Sequence, residues 1–263
     1  MKRLLSIINL LGVSLFCHGA EIAVTAVRQP GTSLDTSVRN EADNAKRLAA
    51  DWLTARQNPD GSWGSTNANA VLTPIVWLAL NGMDDAIDAV ARDRAIVWLD
   101  SLPVAANAPF DAYLWRLLAI LHALSDSPFE THIGDIMSVG EPFAADAPFY
   151  SQWLWREAVG RLCEVPAPRN QRVKKWLAAV AADYPLNTQN TETFWFFARL
   201  INSSEKGVWI RGTEALDWRN DFGLALINAQ RKDPSGGGYW NAETDDAKLR
   251  ATAFALLALR EID

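Results

Sequence analysis

Cysteine and histidine are scarce in this sequence, with two cysteines and three histidines among 263 residues. These few side chains show no tight ligand spacing, which argues against a zinc centre, and we expect no metal. Too few cysteines are present for a disulfide framework. Basic residues are also outnumbered, since 25 Lys and Arg stand against 31 Asp and Glu, for a net charge of −6. Because nucleic acid binding needs a basic face, no nucleic acid partner is expected.

Long apolar segments are missing except near the N-terminus. There, two basic residues precede an apolar run from Leu4 to Phe16, and small residues follow it. This layout is typical of a secretory signal peptide, and the run is shorter than the roughly 20 residues of a membrane span. We therefore predict a signal peptide over 1–20, a periplasmic or secreted protein, and a mature chain that does not span a membrane. Cys17 follows a bulky residue, so lipoprotein anchoring is not expected.

The rest of the chain is patterned for helices. From residue 41 onwards apolar residues recur at helical spacing, as in Ala45, Ala49 and Trp52, and no stretch alternates as a half-buried strand does. We predict an all-α domain over 41–263, preceded by a flexible lead-in over 21–40. Proline and glycine breaks divide this domain into about five helical hairpins, at roughly 41–81, 86–124, 129–163, 168–202 and 214–261. A period of 40–50 residues indicates a helical repeat protein, either a solenoid or a closed toroid.

The loop after the first predicted helix carries the most specific pattern. Trp52 and Leu53 lie near the end of the helix, Gln57 follows, and an Asn-Pro-Asp-Gly turn leads through Gly61 to Trp63. Gly61 can adopt the positive φ that such a turn needs. Trp63 can then fold back over the end of the helix. Gln57 is placed to bind exposed backbone groups there, much as a helix cap does.

The same pattern returns near the C-terminus in a looser form. Gln230 precedes Gly238 and Trp240, with extra residues between the glutamine and the glycine. The segments that follow the two loops also match, because Thr73 and Thr252 stand at equivalent places before a Leu-Ala-Leu sequence. Agreement of loop and helix together is more specific than either alone. We assign these residues a structural role in two repeated units.

These residues resemble the prenyltransferase and squalene-oxidase repeat, the QW motif of terpenoid cyclases. Residues 48–63 match the family pattern K/R-G/A-x-x-F/Y/W-L-x-x-x-Q-x-x-x-G-x-W except at its first position, Leu48. The C-terminal copy has Ala225 where the family has an aromatic residue. The resemblance implies an α/α toroid of the terpenoid cyclase and protein prenyltransferase-like superfamily. Complete rings of that family have six hairpins, so about five imply a smaller or incompletely closed ring.

The resemblance does not imply one reaction, because one fold hosts different chemistries. Family cyclases protonate an alkene with an Asp-x-Asp-Asp motif, and the nearest counterparts here are Glu243, Asp245 and Asp246. These acids lie about six residues too early relative to Thr252, so we interpret them as favourable charges at a helix N-terminus. Zinc ligands and the thioester motif of other family branches are missing from the matching positions. No nucleotide fingerprint is visible, and no cofactor is expected.

Two classes of function remain open. The favoured one is a non-catalytic toroid of the cell envelope, which binds an apolar, glycan or peptide ligand, or an envelope protein. The alternative is a polysaccharide-active or cyclase-like enzyme with acidic residues at the toroid mouth, for which Asp84–Asp85 and Asp245–Asp246 are the acid pairs. The aromatic side chains that are candidates for ligand binding are Trp63, Trp209, Tyr239 and Trp240.

Overall fold

The computed structural model describes residues 30–83, 86–102, 119, 190–202 and 208–263. Of these, 62% are helical, which confirms the mostly helical class, and they contain no barrel. The helices are α1 Thr36–Thr54, α2 Asn69–Leu80, α3 Ala86–Ser101, α4 Thr191–Asn202, α5 Trp218–Ala229 and α6 Asp245–Glu261. The strands are β1 Ile210–Arg211, β2 Glu214–Ala215, β3 Gln230–Lys232 and β4 Gly238–Trp240. The predicted signal peptide, the hairpin at 129–163 and the pair Asp84–Asp85 lie outside the described residues.

The first helix begins earlier than the sequence predicted. α1 starts at Thr36 rather than near residue 41, so the expected flexible lead-in does not extend to residue 40. Leu34 and Val38 are buried, and the backbone N–H of Gly31 donates a hydrogen bond to Asp217, 3.0 Å away. The segment before α1 is therefore ordered by contacts with the start of α5, which local sequence patterns do not reveal.

The described residues also contain two short β-ribbons, which the prediction of an all-α domain did not include. β1 pairs with β2, and β3 pairs with β4, both in antiparallel register. In the second ribbon Gln230 lies opposite Trp240, so the extra residues of the C-terminal loop form this ribbon and its turn. Strands of two or three residues are too short to leave an alternating pattern in the sequence.

The helices form two layers. α6 lies between α4 and α2 in one layer, and α1 packs against α5 and α3 in the other. The three helices of the first layer run in the same direction. Arg250, near the start of α6, pairs with Glu192 at the start of α4, while Arg260, at the end of α6, donates to the carbonyl of Leu78 at the end of α2. α2 is buried throughout Leu72–Leu80, and it packs against α6 in its own layer and against α3 in the other.

The two ends of the described chain meet in space. We call residues 30–83, which hold α1 and α2, the first hairpin, and residues 216–263, which hold α5 and α6, the last hairpin. α1 packs against α5, α1 and α2 both pack against α6, and β4 also packs against α1. The first and last hairpins are therefore direct neighbours. Among the helices in the described ranges, none combines the length and hydropathy that crossing a membrane requires.

Candidate functional site

The first loop, residues 55–68, is held by Trp63. This side chain is fully buried, and its indole Nε1 donates to the carbonyl of Leu53 at 2.7 Å. Its backbone N–H donates to the hydroxyl of Thr73 at 2.9 Å. Gly61 has a φ of 94°, and its carbonyl accepts a 2.9 Å hydrogen bond from the Gln57 side chain. The indole thus closes the loop onto the end of α1 and the beginning of α2.

The second loop, residues 230–244, repeats the two hydrogen bonds of the tryptophan. The indole Nε1 of Trp240 donates to the carbonyl of Leu226 at 2.9 Å, near the end of α5. Its backbone N–H donates to the hydroxyl of Thr252 at 3.1 Å, in α6. Despite the extra residues of the β-ribbon, both loops therefore have the same connection between their two helices.

The glutamine of each loop also binds the helix of a neighbouring hairpin. The Gln57 side chain donates to the carbonyl of Ala91 in α3 at 2.7 Å, and the Gln230 side chain donates to the carbonyl of Ala45 in α1 at 2.9 Å. The two acceptors stand 46 residues apart. The last hairpin consequently contacts α1 in the same register as the first hairpin contacts α3.

An aspartate in each loop lies beside a tryptophan of the neighbouring helix. The carboxylate of Asp233 accepts a 3.1 Å hydrogen bond from the indole Nε1 of Trp52 in α1. The equivalent carboxylate, that of Asp60, lies close enough to Trp98 in α3 for this side chain to contribute slightly to its lowered pKa. Trp52 and Trp98 are also 46 residues apart, which is the interval of the tryptophan recurrence seen in the sequence. These tryptophans connect consecutive units rather than only filling a core.

Hydrogen bonds to the two loop carboxylates favour their charged forms. The hydroxyl and the backbone N–H of Ser235, with smaller contributions from Trp52 and Arg56, lower the pKa of Asp233 to about 2. The backbone N–H and hydroxyl of Ser62 lower the pKa of Asp60 in the same way. Both groups are therefore ionised at neutral pH and serve as hydrogen-bond acceptors, not as proton donors.

The acidic candidates near the start of α6 do not face an apolar cavity in the described part of the chain. Asp245 and Asp246 occupy the first turn of α6, and Glu243 is exposed. The side chain of Asp245 is 95% exposed and pairs with Lys248 at 2.9 Å. Asp246 accepts hydrogen bonds from the backbone N–H and the hydroxyl of Ser65 at 2.9 and 2.6 Å. Asp246 thus links the last hairpin to the first, a role that sequence reasoning missed.

The aromatic candidates are mostly core residues, which corrects their assignment as ligand-binding side chains. Trp63, Trp209 and Trp240 are all buried and offer no face to a ligand. Trp63 and Trp240 close the two loops. Tyr239 is half-buried and stacks on Trp52, with 5.4 Å between ring centroids. A pattern of tryptophans in the sequence cannot separate a binding platform from a packing contact.

No metal site is formed by the residues that the structure describes, which contain no group of three His, Cys, Asp or Glu suited to an ion. The cysteines and histidines of the chain lie outside those residues. Comparison of the chain with models of known protein families, with curated proteins and with solved structures returns no match. The two repeated loops and the contacts between the hairpins are therefore the features of the described residues that bear on function.

Proposed function

We propose that this chain is an exported α/α toroid of the terpenoid cyclase and protein prenyltransferase-like type, which binds a ligand or another protein of the cell envelope and does not catalyse a reaction. One observation carries the proposal. In both QW-like loops the tryptophan makes the same two hydrogen bonds within its unit, and the glutamine donates to a backbone carbonyl in a helix of the neighbouring unit. These hydrogen bonds hold the repeated units together, which is a structural role.

The contact between the last and first hairpins supports a closed ring. In an open solenoid the last repeat has no successor, and its outward-facing groups are capped or solvated. Here the side chain of Gln230 donates to α1 as its equivalent Gln57 donates to α3, and the carboxylate of Asp233 accepts a further hydrogen bond from Trp52 of α1. The first hairpin thus occupies the place of the missing successor, as a ring of about five hairpins requires.

The positions of the acidic side chains favour binding over catalysis. A carboxylic acid that protonates an alkene must stay protonated and point into an apolar site. The side chain of Asp245 is exposed to solvent, and the carboxylate of Asp246 accepts two hydrogen bonds from Ser65. An apolar, glycan or peptide ligand, or a partner protein, would instead use the concave side that a ring of hairpins leaves.

Activity measurements test the non-catalytic assignment. We expect the mature protein to show no turnover of polyprenyl or polysaccharide substrates, and the double substitution Asp245→Asn with Asp246→Asn to leave that result unchanged. The single substitution Asp245→Asn is the matched control, because it preserves the contact between Asp246 and Ser65. The proposal would be contradicted if the natural protein showed turnover and the double substitution abolished it. Circular dichroism of the double variant and of Asp245→Asn would have to show an intact fold.

Expression of the full chain in a bacterial host tests export. We expect the protein in the periplasm or the medium, with an N-terminus near residue 21, because a basic n-region and a short apolar run direct secretion and cleavage. Cell fractionation followed by N-terminal sequencing gives the result. Replacement of Leu5 by Arg within the apolar run is the control and should hold the protein in the cytoplasm. A natural chain that remains in the cytoplasm with residues 1–20 attached would refute export.

A further inference from the structure

The C-terminal ends of α2, α4 and α6 lie at the same end of the first layer. Arg260, in the last turn of α6, reaches the end of α2. Arg199, in the last turn of α4, pairs with Glu261 of α6 at 2.9 Å. The last carbonyls of a helix carry partial negative charge, which attracts cations. Guanidinium groups are therefore favoured at this end of the layer.

Two guanidinium groups bind the backbone on either side of Gly82, just after α2. Arg260 donates through Nη1 to two carbonyls in the last turn of α2, at 3.0 and 3.1 Å. Arg92 of α3 donates through Nη1 to the carbonyls of Leu80 and Met83, at 2.8 and 2.7 Å. We call Arg92, Arg260 and the backbone of Gly82 the arginine site.

Gly82 leaves part of the Arg260 guanidinium uncovered. The glycine is exposed and has a φ of 95°, and a Cβ at this position would lie 2.7 Å from the Nη2 of Arg260. Any other residue would therefore place its side chain against this nitrogen. Because Gly82 has none, it does not cover the nitrogen from the solvent side.

Both guanidinium groups keep donors that the end of α2 does not use. A guanidinium has five N–H groups in a fixed plane, and the hydrogen bonds to α2 and Met83 use only Nη1 of each. Within the described ranges, the Nη2 and Nε atoms of Arg92 and Arg260 bind no acceptor, and neither side chain forms an ion pair with a carboxylate. Half-buried cations without an ion-pair partner are uncommon in proteins.

The positive charges at this end of the layer are also close enough to repel one another. Burial lowers the pKa of Arg260, and Glu261 raises it. The charges of Arg199 and Arg92 lower it as well. A bound anion would relieve this repulsion, as an opposite charge does for any cation.

The equivalent position in the neighbouring repeat is neutralised by carboxylates. Lys46 of α1 precedes Arg92 by 46 residues, which is the interval between the repeated units. Lys46 pairs with Asp43 at 2.7 Å and with Asp263 at 2.9 Å. Among the described residues, Arg92 binds backbone carbonyls instead, so its charge is not balanced by a carboxylate as that of Lys46 is.

We propose that Arg92 and Arg260 bind a phosphate group beside Gly82. The remaining N–H groups of the two side chains would donate to its oxygens, since the planar fork of a guanidinium matches phosphate. A phosphate dianion balances both of the positive charges that have no ion-pair partner among the described residues, whereas a carboxylate balances only one. The inference goes beyond the proposed function, because it requires neither a closed ring nor the absence of catalysis.

Titration of the natural protein with sodium phosphate tests the site. The measurement is isothermal titration calorimetry at pH 8, with the ionic strength held constant by sodium chloride. We expect saturable binding of phosphate, and binding of acetate that is weaker by about tenfold because acetate carries one charge. No saturable binding, or equal affinities for the two anions, would overturn the proposal.

Hydrogen exchange locates the bound phosphate on the chain. In saturating phosphate, peptides over residues 78–92 should exchange more slowly than in sodium chloride of the same ionic strength. Peptides over residues 55–64 should exchange equally in both salts. Slower exchange of both segments to the same extent would indicate a general effect of phosphate on stability and would contradict a local site.

Matched substitutions identify the side chains that bind. Arg92→Gln and Arg260→Gln should each weaken phosphate binding by about tenfold, because each removes a charged donor. Arg94→Gln is the control, since Arg94 also donates to a backbone carbonyl, that of Pro59 at 2.8 Å, but lies outside the arginine site. It should leave the affinity unchanged, and an equal loss in all three variants would refute a specific site. The natural protein's titration and exchange decide the matter if a variant fails to fold.

Asp84 is the carboxylate whose substitution tests the alternative of an internal partner. It follows Met83 in the sequence, lies outside the described residues, and stands at the place equivalent to Asp263 in the repeat. We expect the natural protein to bind phosphate with Asp84 present. If only Asp84→Asn bound phosphate, the arginine site would be shown to serve a contact within the chain, and the proposal would be wrong.

Discussion

Trp63→Ala is expected to lower the free energy of unfolding by about 3–5 kcal/mol, as truncation of a large buried side chain does. The side chain is fully buried, and alanine would leave a cavity where the indole ring lies. The substitution also leaves the carbonyl of Leu53 without the 2.7 Å hydrogen bond from the indole. Urea denaturation followed by far-UV circular dichroism measures the change.

Two variants separate the parts of this effect. Trp63→Phe retains most of the apolar volume and removes the indole N–H, so we expect a loss of about 1–3 kcal/mol from the unpaired carbonyl and the reduced volume. Trp240→Ala should cost as much as Trp63→Ala, because its indole makes the equivalent bond to Leu226. A cost below about 1 kcal/mol for Trp63→Ala would be inconsistent with its burial.

Gly61→Ala should destabilise the protein by about 2–4 kcal/mol, for two reasons that add. The residue has a φ of 94°, a conformation that costs an L-amino acid about 1–2 kcal/mol. A Cβ at this position would also lie 2.6 Å from the backbone carbonyl oxygen of Arg94 in α3. The backbone of a helix cannot easily shift to relieve such a clash. Thermal unfolding and urea denaturation give the change in stability.

Gly236→Ala is the matched control for the crowding. Gly236 has a similar φ of 104°, but a Cβ there would meet no atom within 4 Å. We expect about 1–2 kcal/mol for this substitution, the cost of the backbone conformation alone. If both alanine variants lost the same stability, the close approach of the first loop to α3 would be disproved.

The two repeated loops were accessible from the sequence because their signals are local. The turn at Gly61 and the return of Trp63 to the helix end involve residues within about ten positions of each other. The matching of Thr73 with Thr252 was visible as well, and the two hydroxyls do accept equivalent hydrogen bonds. The β-ribbon in the second loop was not visible, since its three-residue strands depend on pairing across the inserted segment.

The candidate site was less accessible, because residue type does not specify burial. Trp209 and Trp240 were predicted as ligand platforms, yet both are buried. Asp246 was considered for catalysis, yet its carboxylate holds Ser65, which is 181 residues away in the chain. A carboxylate or an indole has many suitable partners, and its actual partner depends on which distant segment is brought beside it.

The helical class and the hydrogen-bonded turn of the first loop follow from the amino-acid sequence. Periodicity and turn chemistry act over a few residues, so these features follow from composition and spacing alone. The binding of Gln230 and Asp233 to α1, and the contact between the first and last hairpins, become visible only in the folded chain. That outcome depends on the summed geometry of the intervening chain, which sets where α1 and the second loop meet.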